Sequence, residues 1–371
     1  MGTSDGHVVG TTKIVDHGSP AVRWNVAIVA EGYTSGQLAQ FHADADAFVH
    51  TLSTTPPFDE LWCGINVFRI DVASNQSGAD DPTACGGSGA TAATYFDARF
   101  CGDGVTQRLL VVDDSIVHTV VNAQLPQAHV ILVMVNSTEY GGSGGGVATF
   151  SLAPGASDIG IHETGHTAFG FADEYDYYSD CSEAGHDHHP AGEPAQPNVT
   201  LDANRATNKW RDLVAASTAM PTMSNPDCAH CDRRASPVPA GTVGAFEGAH
   251  YYRCGAYRPE HNCKMRELGQ PFCAVCRRTI RQTLGRFAAC CTSWTFGDNT
   301  LAAGQSQRWW LWWPGYPGFE VIGVQPGTPG AELRFETPGM QLNPDGSATY
   351  FLTVSNVGAA TVRYAFRGKA V

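Results

Sequence analysis

Two histidines and a glutamate have a spacing that suits metal chemistry. His162 and His166 are four residues apart, and Glu163 directly follows the first histidine. On a helix this spacing places both imidazoles on one face, about one turn apart, where both can reach one metal ion. Neutral imidazoles leave Zn²⁺ strongly Lewis acidic, so the pKa of a bound water falls towards about 7. Glu163 is then the general base that takes the water proton and delivers it to a leaving amine.

A third protein ligand would leave one position open on such a metal. Residues 167–175 have the sequence TAFGFADEY, with carboxylates at Asp173 and Glu174. If the helix continued to Asp173, its carboxylate would lie about 10 Å along the axis from His166, too far to share a metal. Gly170 can end the helix in the left-handed conformation, after which the chain folds back. We therefore predict Asp173 as the third ligand; Glu174 is the alternative, and otherwise supports the ligands or forms a salt bridge.

The segments that must position this motif alternate between strand and helix patterns. Apolar, β-branched runs predict strands, and apolar residues at helical spacing predict helices. Strands are predicted over 22–29, 65–72, 108–112, 129–136 and 147–152, and helices over 35–52 and 115–125. The glycine-rich stretch 140–147 predicts a flexible loop, and Ser157 is the predicted N-cap of the motif helix. This order predicts an α/β (α+β) domain with a twisted, mostly parallel sheet.

The amino-acid composition of the chain changes after the motif. Residues 180–260 are rich in Pro, Asn, Asp, His, Gly and Cys, which predicts long irregular loops held by disulfides. A helix is predicted over 271–288, and a boundary at Cys290 and Cys291. Five short strands follow, over 308–313, 319–324, 331–335, 347–354 and 361–366. We therefore expect a catalytic domain over 10–290 and a small all-β sandwich domain over 291–371.

Charge and cysteine content narrow the class of protein. The formal net charge is −13 and no basic run is present, which argues against a nucleic acid partner. No apolar run reaches the ~18 residues of a membrane span. Twelve cysteines fit an oxidised, secreted protein whose disulfide connectivity stays open. The alternative is a reduced chain in which Cys228-x-x-Cys231 and Cys273-x-x-Cys276 form a zinc site.

The run HETGHTAFGFADEY, from His162 to Tyr175, resembles the zinc signature of the IgA-peptidase family of zinc metallopeptidases, an igalysin-like family of the metzincin group. The similarity covers roughly residues 10–285 and includes the blocks at 30–34, 77–82, 136–142 and 257–259. It implies a metzincin-like catalytic domain whose active-site helix ends at a glycine. It also implies a methionine turn at 262–266 that places Met265 under the metal. Finally, it implies that the strand at 147–151 is the sheet edge that pairs with an extended substrate.

The sequence departs from the common metzincin pattern at two points. Gly170 and Asp173 fall four and seven residues after His166, instead of three and six, a longer spacing that the IgA-peptidase family shares. Some metzincins carry a tyrosine two residues after the methionine, where this chain has Glu267. A hydroxyl that assists the reaction must then come from elsewhere, with Tyr252 and Tyr257 as candidates.

Several further segments have candidate binding chemistry. The acidic loop at Asp80 and Asp81 and the stretch 173–180 are candidates for Ca²⁺, which prefers carboxylate and carbonyl oxygens. The run 186–189, His-Asp-His-His, is either a second metal site or a solvated loop. The aromatic run 308–313, RWWLWW, either binds carbohydrate through exposed rings or alternates into the core of the sandwich.

These observations predict a secreted, monomeric, zinc-dependent endopeptidase that acts on protein or peptide substrates. Zinc is expected at His162, His166 and Asp173, with Glu163 as the catalytic base. One rival is a binding protein with a vestigial zinc site, whose sandwich domain attaches to glycan or cell wall. The intact Glu163 argues against it, since zinc retention alone does not require that residue. Another rival is a zinc amidase that cleaves a non-protein amide.

Overall fold

A computed structural model describes residues 3–288, 294–313, 320–328, 330–345 and 347–369. The chain forms two compact units, Met1–Leu284 and Gly285–Val371, which we describe separately. The boundary predicted at Cys290 and Cys291 lies outside the described residues. Among the described residues, no helix has the length and apolar character that a membrane span requires.

A six-stranded sheet forms the centre of the first unit. Its strands are Gly6–Val15 (β1), Trp24–Glu31 (β2), Ile65–Ser74 (β3), Val130–Val135 (β4), Gly142–Ser143 (β5) and Ala148–Ser151 (β6). They lie in the order β1-β3-β2-β4-β6-β5, with β3, β2, β4 and β6 parallel and the two outer strands antiparallel to their neighbours. Every residue of β2 and β4 is buried, as expected for central strands covered on both faces. The sheet is therefore mostly parallel, as the sequence predicts.

Five α-helices and a hairpin complete the described part of the first unit. The helices are Leu38–Thr54 (α1), Phe58–Leu61 (α2), Asp114–Gln124 (α3), Ala156–Phe169 (α4) and Ala274–Leu284 (α5). The hairpin strands are Phe246–Ala249 (β7) and Tyr252–Arg258 (β8). Helix α4 packs closely against α1 and β6 at Gly160. A Cβ at this position would lie 2.8 Å from Phe48 and 3.0 Å from Phe150. Because Gly160 has no side chain, the helix that carries the histidines can approach these neighbours closely.

Three local predictions were wrong. Residues 108–112 form no strand; Leu109 and Val111 make only isolated bridges, to Gly142 and Arg99. Helix α4 begins at Ala156 after Gly155, so Ser157 is not its N-cap. The strand at 147–151, which the resemblance implies to be the sheet edge, is not the edge, because β5 pairs with it on the outer side.

The second unit consists of strands only, within its described residues. They are Trp294–Leu301 (β9), Ser306–Trp313 (β10), Glu320–Pro326 (β11), Leu333–Leu342 (β12), Ala348–Asn356 (β13) and Val362–Lys369 (β14). Two antiparallel sheets, β10-β13-β12 and β11-β14-β9, enclose a shared apolar cluster. Trp309 and Leu311 pack on this cluster, whereas Trp310 and Trp312 are 71% and 52% exposed. The predicted alternation of the aromatic run is confirmed for these four residues.

A buried carboxylate closes the end of β2. Glu31 is inaccessible to solvent and accepts backbone N–H hydrogen bonds from Phe96 and Ala98 at 3.1 Å. Burial raises the pKa of Glu31 to about 7, although these hydrogen bonds favour the charged form. The folded state therefore retains a proton over a pH interval in which the unfolded chain has released it.

We expect this proton to make stability depend on pH. Its contribution is complete below the unfolded pKa of Glu31 and is lost as the pH rises through the folded pKa of about 7. The free energy of unfolding should fall by up to about 3 kcal/mol more in the wild type than in Glu31→Gln between about pH 4.5 and about pH 8. Urea denaturation of both proteins across this range measures the difference, and parallel pH profiles would contradict it.

Candidate functional site

Helix α4 carries the two histidines in its last two turns and ends where the sequence predicts. Gly170 adopts the left-handed conformation (φ 64°, ψ 33°), and its N–H donates to the carbonyls of Gly165 and His166. The next residue, Phe171, also donates to the Gly165 carbonyl, at 3.1 Å. These bonds satisfy the free carbonyls at the end of the helix and turn the chain back beside it.

The reversed chain brings Asp173 to the histidines. Asp173 Oδ1 lies 3.1 Å from His162 Nε2 and 3.3 Å from His166 Nε2, and the two Nε2 atoms are 3.1 Å apart. A tetrahedral Zn²⁺ with bonds of about 2.0–2.1 Å separates its donor atoms by about 3.3–3.4 Å. The structure thus brings together the three predicted ligands. The carboxylate of Glu174 contacts other residues, namely Asn198 and a group of cysteines.

The two imidazoles are oriented by hydrogen bonds on their far sides. Nδ1 of His162 donates to the Lys264 carbonyl at 2.9 Å, and Nδ1 of His166 donates to the Phe171 carbonyl at 2.7 Å. Each neutral ring then presents an Nε2 lone pair to the same point, which is the usual arrangement of metal-binding histidines. Asp173 Oδ1 is a buried atom without a hydrogen-bond donor among the described residues. This donor set fits a Zn²⁺ ion.

The pKa values of His166 and Asp173 indicate that a positive charge is favoured among the three donor atoms. Burial opposes protonation of His166, but the charge of Asp173 outweighs it and raises the pKa to about 9. Burial alone would raise the pKa of Asp173, yet the two histidines hold it well below its usual range. Without a metal, a proton supplies the positive charge; a bound cation must displace that proton.

Glu163 lies beside the three donor atoms, where glycines leave room for it. Its Oε2 is 4.0 Å from His166 Nε2. A Cβ at Gly142 would lie 3.0 Å from Glu163 Oε1, and one at Gly144 would lie 3.1 Å from Oε2 and 2.5 Å from the Cβ of His166. The glycine-rich stretch therefore forms a close wall of the site. Burial raises the pKa of Glu163 above its usual value, against the opposing charge of the histidines.

Met265 packs against the motif helix at Gly165. It is fully buried, and a Cβ at Gly165 would lie 2.6 Å from its Sδ. Its carbonyl accepts a hydrogen bond from the N–H of Glu174 at 2.7 Å. The preceding residue, Lys264, forms an ion pair of 2.6 Å with Asp158 in the first turn of α4. The turn thus holds both the helix and the returning chain.

Sequence reasoning missed Tyr251. Its hydroxyl donates to Asp173 Oδ2 at 2.5 Å, and it has positive φ (71°), as does the preceding His250. The two candidate tyrosines are elsewhere, because Tyr252 stacks on His186 and Tyr257 hydrogen-bonds Glu247. Two consecutive positive φ angles without glycine have no sequence signal, so this residue could not be selected from the pattern.

The three ligand residues line a cleft of about 580 Å³. Besides the motif, its lining includes Arg108, Tyr140, Gly144, Tyr175, Tyr251 and Glu267. The guanidinium of Arg108 lies over the ring of Tyr175, with 5.9 Å between the Arg Cζ and the ring centroid. Aromatic rings beside a cation and a row of glycines can contact both side chains and backbone of a bound chain.

The other candidate segments have local partners. His189 contacts His250, with 2.9 Å between Nε2 and Nδ1, and His186 donates to the Tyr251 carbonyl, so the run 186–189 packs on the β7–β8 hairpin. Asp80 accepts the N–H of Ala92, and Asp81 accepts the N–H of Ser88. These carboxylates hold their own loop in place, and calcium binding stays a prediction.

The contact between Gly165 and Met265 gives a test of the packing under the site. Gly165→Ala should destabilise the protein by about 1–3 kcal/mol, because the new methyl group meets the sulfur. The cost should largely disappear in a Met265→Ala background, which creates the required space. Urea denaturation of the four proteins measures this coupling, and additive losses would contradict the proposed contact.

Similarity to known proteins shows which family the chain belongs to. A search of curated proteins found no match. The family model described as IgA Peptidase M64 matches residues 12–235 and 230–284, more than half of the 371 residues. The match contains the motif helix, the reversed chain after Gly170 and the turn at Met265. It confirms the resemblance and indicates a peptidase. The chain belongs to the IgA peptidase M64 family.

Proposed function

We propose that this protein is a secreted, zinc-dependent endopeptidase. The observation that carries the proposal is the convergence of His162 Nε2, His166 Nε2 and Asp173 Oδ1 within 3.3 Å of one another, in residues that line a cleft. Membership of a peptidase family supports the substrate class, which is protein or peptide. The predicted alternative, a binding protein with a vestigial site, has no such support.

Each residue of the site has a distinct part in the proposed reaction. Zn²⁺ held by the two histidines and Asp173 would supply Lewis acidity for water and for the scissile carbonyl. Glu163 takes a proton from the attacking water and delivers it to the nitrogen of the leaving amine. Its burial supports this role, since a carboxylate with a raised pKa is a stronger base than an exposed one. The wall formed by Gly142 and Gly144 keeps the carboxylate beside the ligands.

Tyr251 is proposed as a positioning residue for the third ligand. Its hydroxyl donates to the carboxylate oxygen of Asp173 that does not face the histidines. Such a bond fixes the orientation of a ligating carboxylate, and removal of similar partners weakens metal binding in other proteins. Burial raises the pKa of Tyr251, so the hydroxyl keeps its proton and remains a donor.

The disulfides support the proposed secretion. Pairs form between Cys85 and Cys101, between Cys181 and Cys231, and between Cys228 and Cys254. Such bonds persist in oxidising compartments and are rare in reducing ones. Immunoglobulin A is the first protein substrate to test, because the family carries its name.

The role of Glu163 can be tested by Glu163→Gln. We expect this variant to lower kcat for a cleaved peptide by about 10²–10⁴-fold, because the amide cannot accept the water proton. Its zinc content should match that of the wild type, because the substituted group is not a ligand. The peptide comes from a library screen with the zinc-loaded wild type, and metal content is measured by mass spectrometry.

Two controls make this test specific. Glu60→Gln removes an exposed carboxylate that pairs with Arg281 and should leave kcat unchanged. Chelation of the wild type should abolish cleavage, and added zinc should restore it. Full activity of Glu163→Gln, or full activity after zinc removal, would overturn the proposed mechanism.

Tyr251→Phe tests the positioning of Asp173. We expect the apparent Kd for zinc to rise about 10-fold or more, because one carboxylate oxygen loses its donor. A competition titration against a chromophoric chelator measures this change, which a loss of general stability would not produce. Tyr252→Phe is the matched control, since its ring stacks on His186. Equal zinc affinities of the wild type and Tyr251→Phe would contradict the proposal.

A further inference from the structure

A second cluster of metal-binding side chains lies behind the reversed chain, outside the proposed catalytic site. It consists of Glu174, Cys263, Cys273 and Cys276, none more than 1% exposed. The three cysteines form no disulfide. Nothing in the proposed peptidase reaction uses these four residues, although burial of so many polar groups at one point requires an explanation.

The separations within the cluster suit a metal ion. Glu174 Oε1 lies 3.7 Å from Cys273 Sγ and 3.7 Å from Cys276 Sγ, and Cys263 Sγ lies 3.9 Å from Cys276 Sγ. A disulfide requires about 2.05 Å between sulfurs. A tetrahedral Zn²⁺, with about 2.3 Å to sulfur and about 2.0 Å to oxygen, holds its donors about 3.5–3.8 Å apart. The observed distances match the metal site and not a disulfide.

An unsatisfied carboxylate oxygen independently points to a ligand. Glu174 Oε2 is buried and has no hydrogen-bond partner among the described residues. The other oxygen, Oε1, accepts a hydrogen bond from Asn198 Nδ2 at 2.9 Å and faces the sulfurs of Cys273 and Cys276. An isolated buried carboxylate is costly unless it is paired or binds a metal. A cation among the three sulfurs would provide this compensation.

The local backbone also favours thiolates over thiols. The N–H of Cys273 donates to Cys263 Sγ at 3.2 Å, and the N–H of Cys276 donates to Cys273 Sγ at 3.4 Å. Cys273 directly precedes helix α5, whose N-terminal end is electropositive. Both features stabilise negative sulfur, which is the form that binds a metal.

We propose that Glu174, Cys263, Cys273 and Cys276 bind a second, structural Zn²⁺ ion. Three thiolates select a soft or borderline metal, which excludes Ca²⁺ and Mg²⁺ as natural occupants. Four protein ligands close a tetrahedral site and leave no position for water or substrate. The ion joins the segment that follows Asp173 to the turn at Met265 and to the start of α5, so it braces the chain from which the third catalytic ligand projects.

The zinc content of the full-length protein tests this proposal. Purified chain is loaded with ZnCl₂, dialysed against metal-free buffer and analysed by mass spectrometry. We expect the wild type to hold two zinc ions per chain, and Cys276→Ser and the double variant His162→Ala/His166→Ala to hold one each. Val275→Ala is the control, because it perturbs a fully buried neighbour on the same helix without removing a ligand; it should hold two.

This design separates the two sites. If the catalytic proposal alone fails, the wild type holds one ion, which the histidine variant keeps and Cys276→Ser loses. If the structural site does not exist, the histidine variant holds none, and Cys276→Ser keeps the content of the wild type. A histidine variant without zinc, or a Cys276→Ser variant with the zinc content of the wild type, overturns the proposed second site.

A second measurement needs no cysteine variant and therefore does not depend on its folding. The His162→Ala/His166→Ala protein is loaded with Co²⁺ instead of zinc. We expect strong near-ultraviolet absorption from thiolate-to-cobalt charge transfer, since the remaining site contains sulfur ligands. In parallel, wild-type protein is denatured with chelator and without reductant, alkylated and mapped. All three cysteines should be alkylated; a disulfide between any two of them, or no charge-transfer band, overturns the proposal.

Discussion

The site depends on one geometric constraint, which is that three donor atoms must meet although a straight helix can supply only two of them. His162 and His166 share one face of α4, and the next carboxylate would lie too far along the axis if the helix continued. The reversal at Gly170 removes this difficulty because its positive φ, 64°, turns the chain back beside the histidines. A side chain at this position would strain the left-handed conformation, so the geometry of the metal ligands rests on this residue.

The returning chain needs support, because residues 171–174 form no regular secondary structure. Asn198 supplies part of it, accepting from Ala172 N at 2.9 Å and donating to Ala172 O at 2.8 Å. The N–H of His250 donates to the carbonyl of Asp173, and that of Glu174 donates to Met265. Asn198 lies within the segment closed by the Cys181–Cys231 disulfide, and His250 within the one closed by Cys228–Cys254. The region 180–260, which was predicted as irregular loops but includes the β7–β8 hairpin, is therefore a structural support of the site.

The sequence predicted those features whose signal is local. Residues 26–30 of β2 and all of β4 are continuous apolar runs, α1 has regular apolar spacing, and the end of α4 is marked by a glycine. Edge strand β1 was missed, because none of its residues is buried and Gly10 interrupts it. The hairpin β7–β8 and the hydroxyl of Tyr251 depend on pairing and on positive φ angles, which the pattern does not encode. The partners of Glu174 were hidden for a similar reason, since they are about 90 to 100 residues away in the chain.

The chain contains both disulfides and free thiols, and the proposed second site explains why the free thiols do not pair. In an oxidising compartment, Cys273 and Cys276 lie close enough in sequence to pair with each other once the chain is unfolded. Thiol–disulfide exchange requires an accessible thiolate, and neither sulfur is accessible in the folded protein. Burial alone protects them only after folding. A metal that binds all three thiolates also protects them while the chain folds, because ligated sulfur is not free to attack an oxidant. The proposed zinc ion would thus determine which of the cysteines become disulfides, and the structure it braces is the one that presents Asp173.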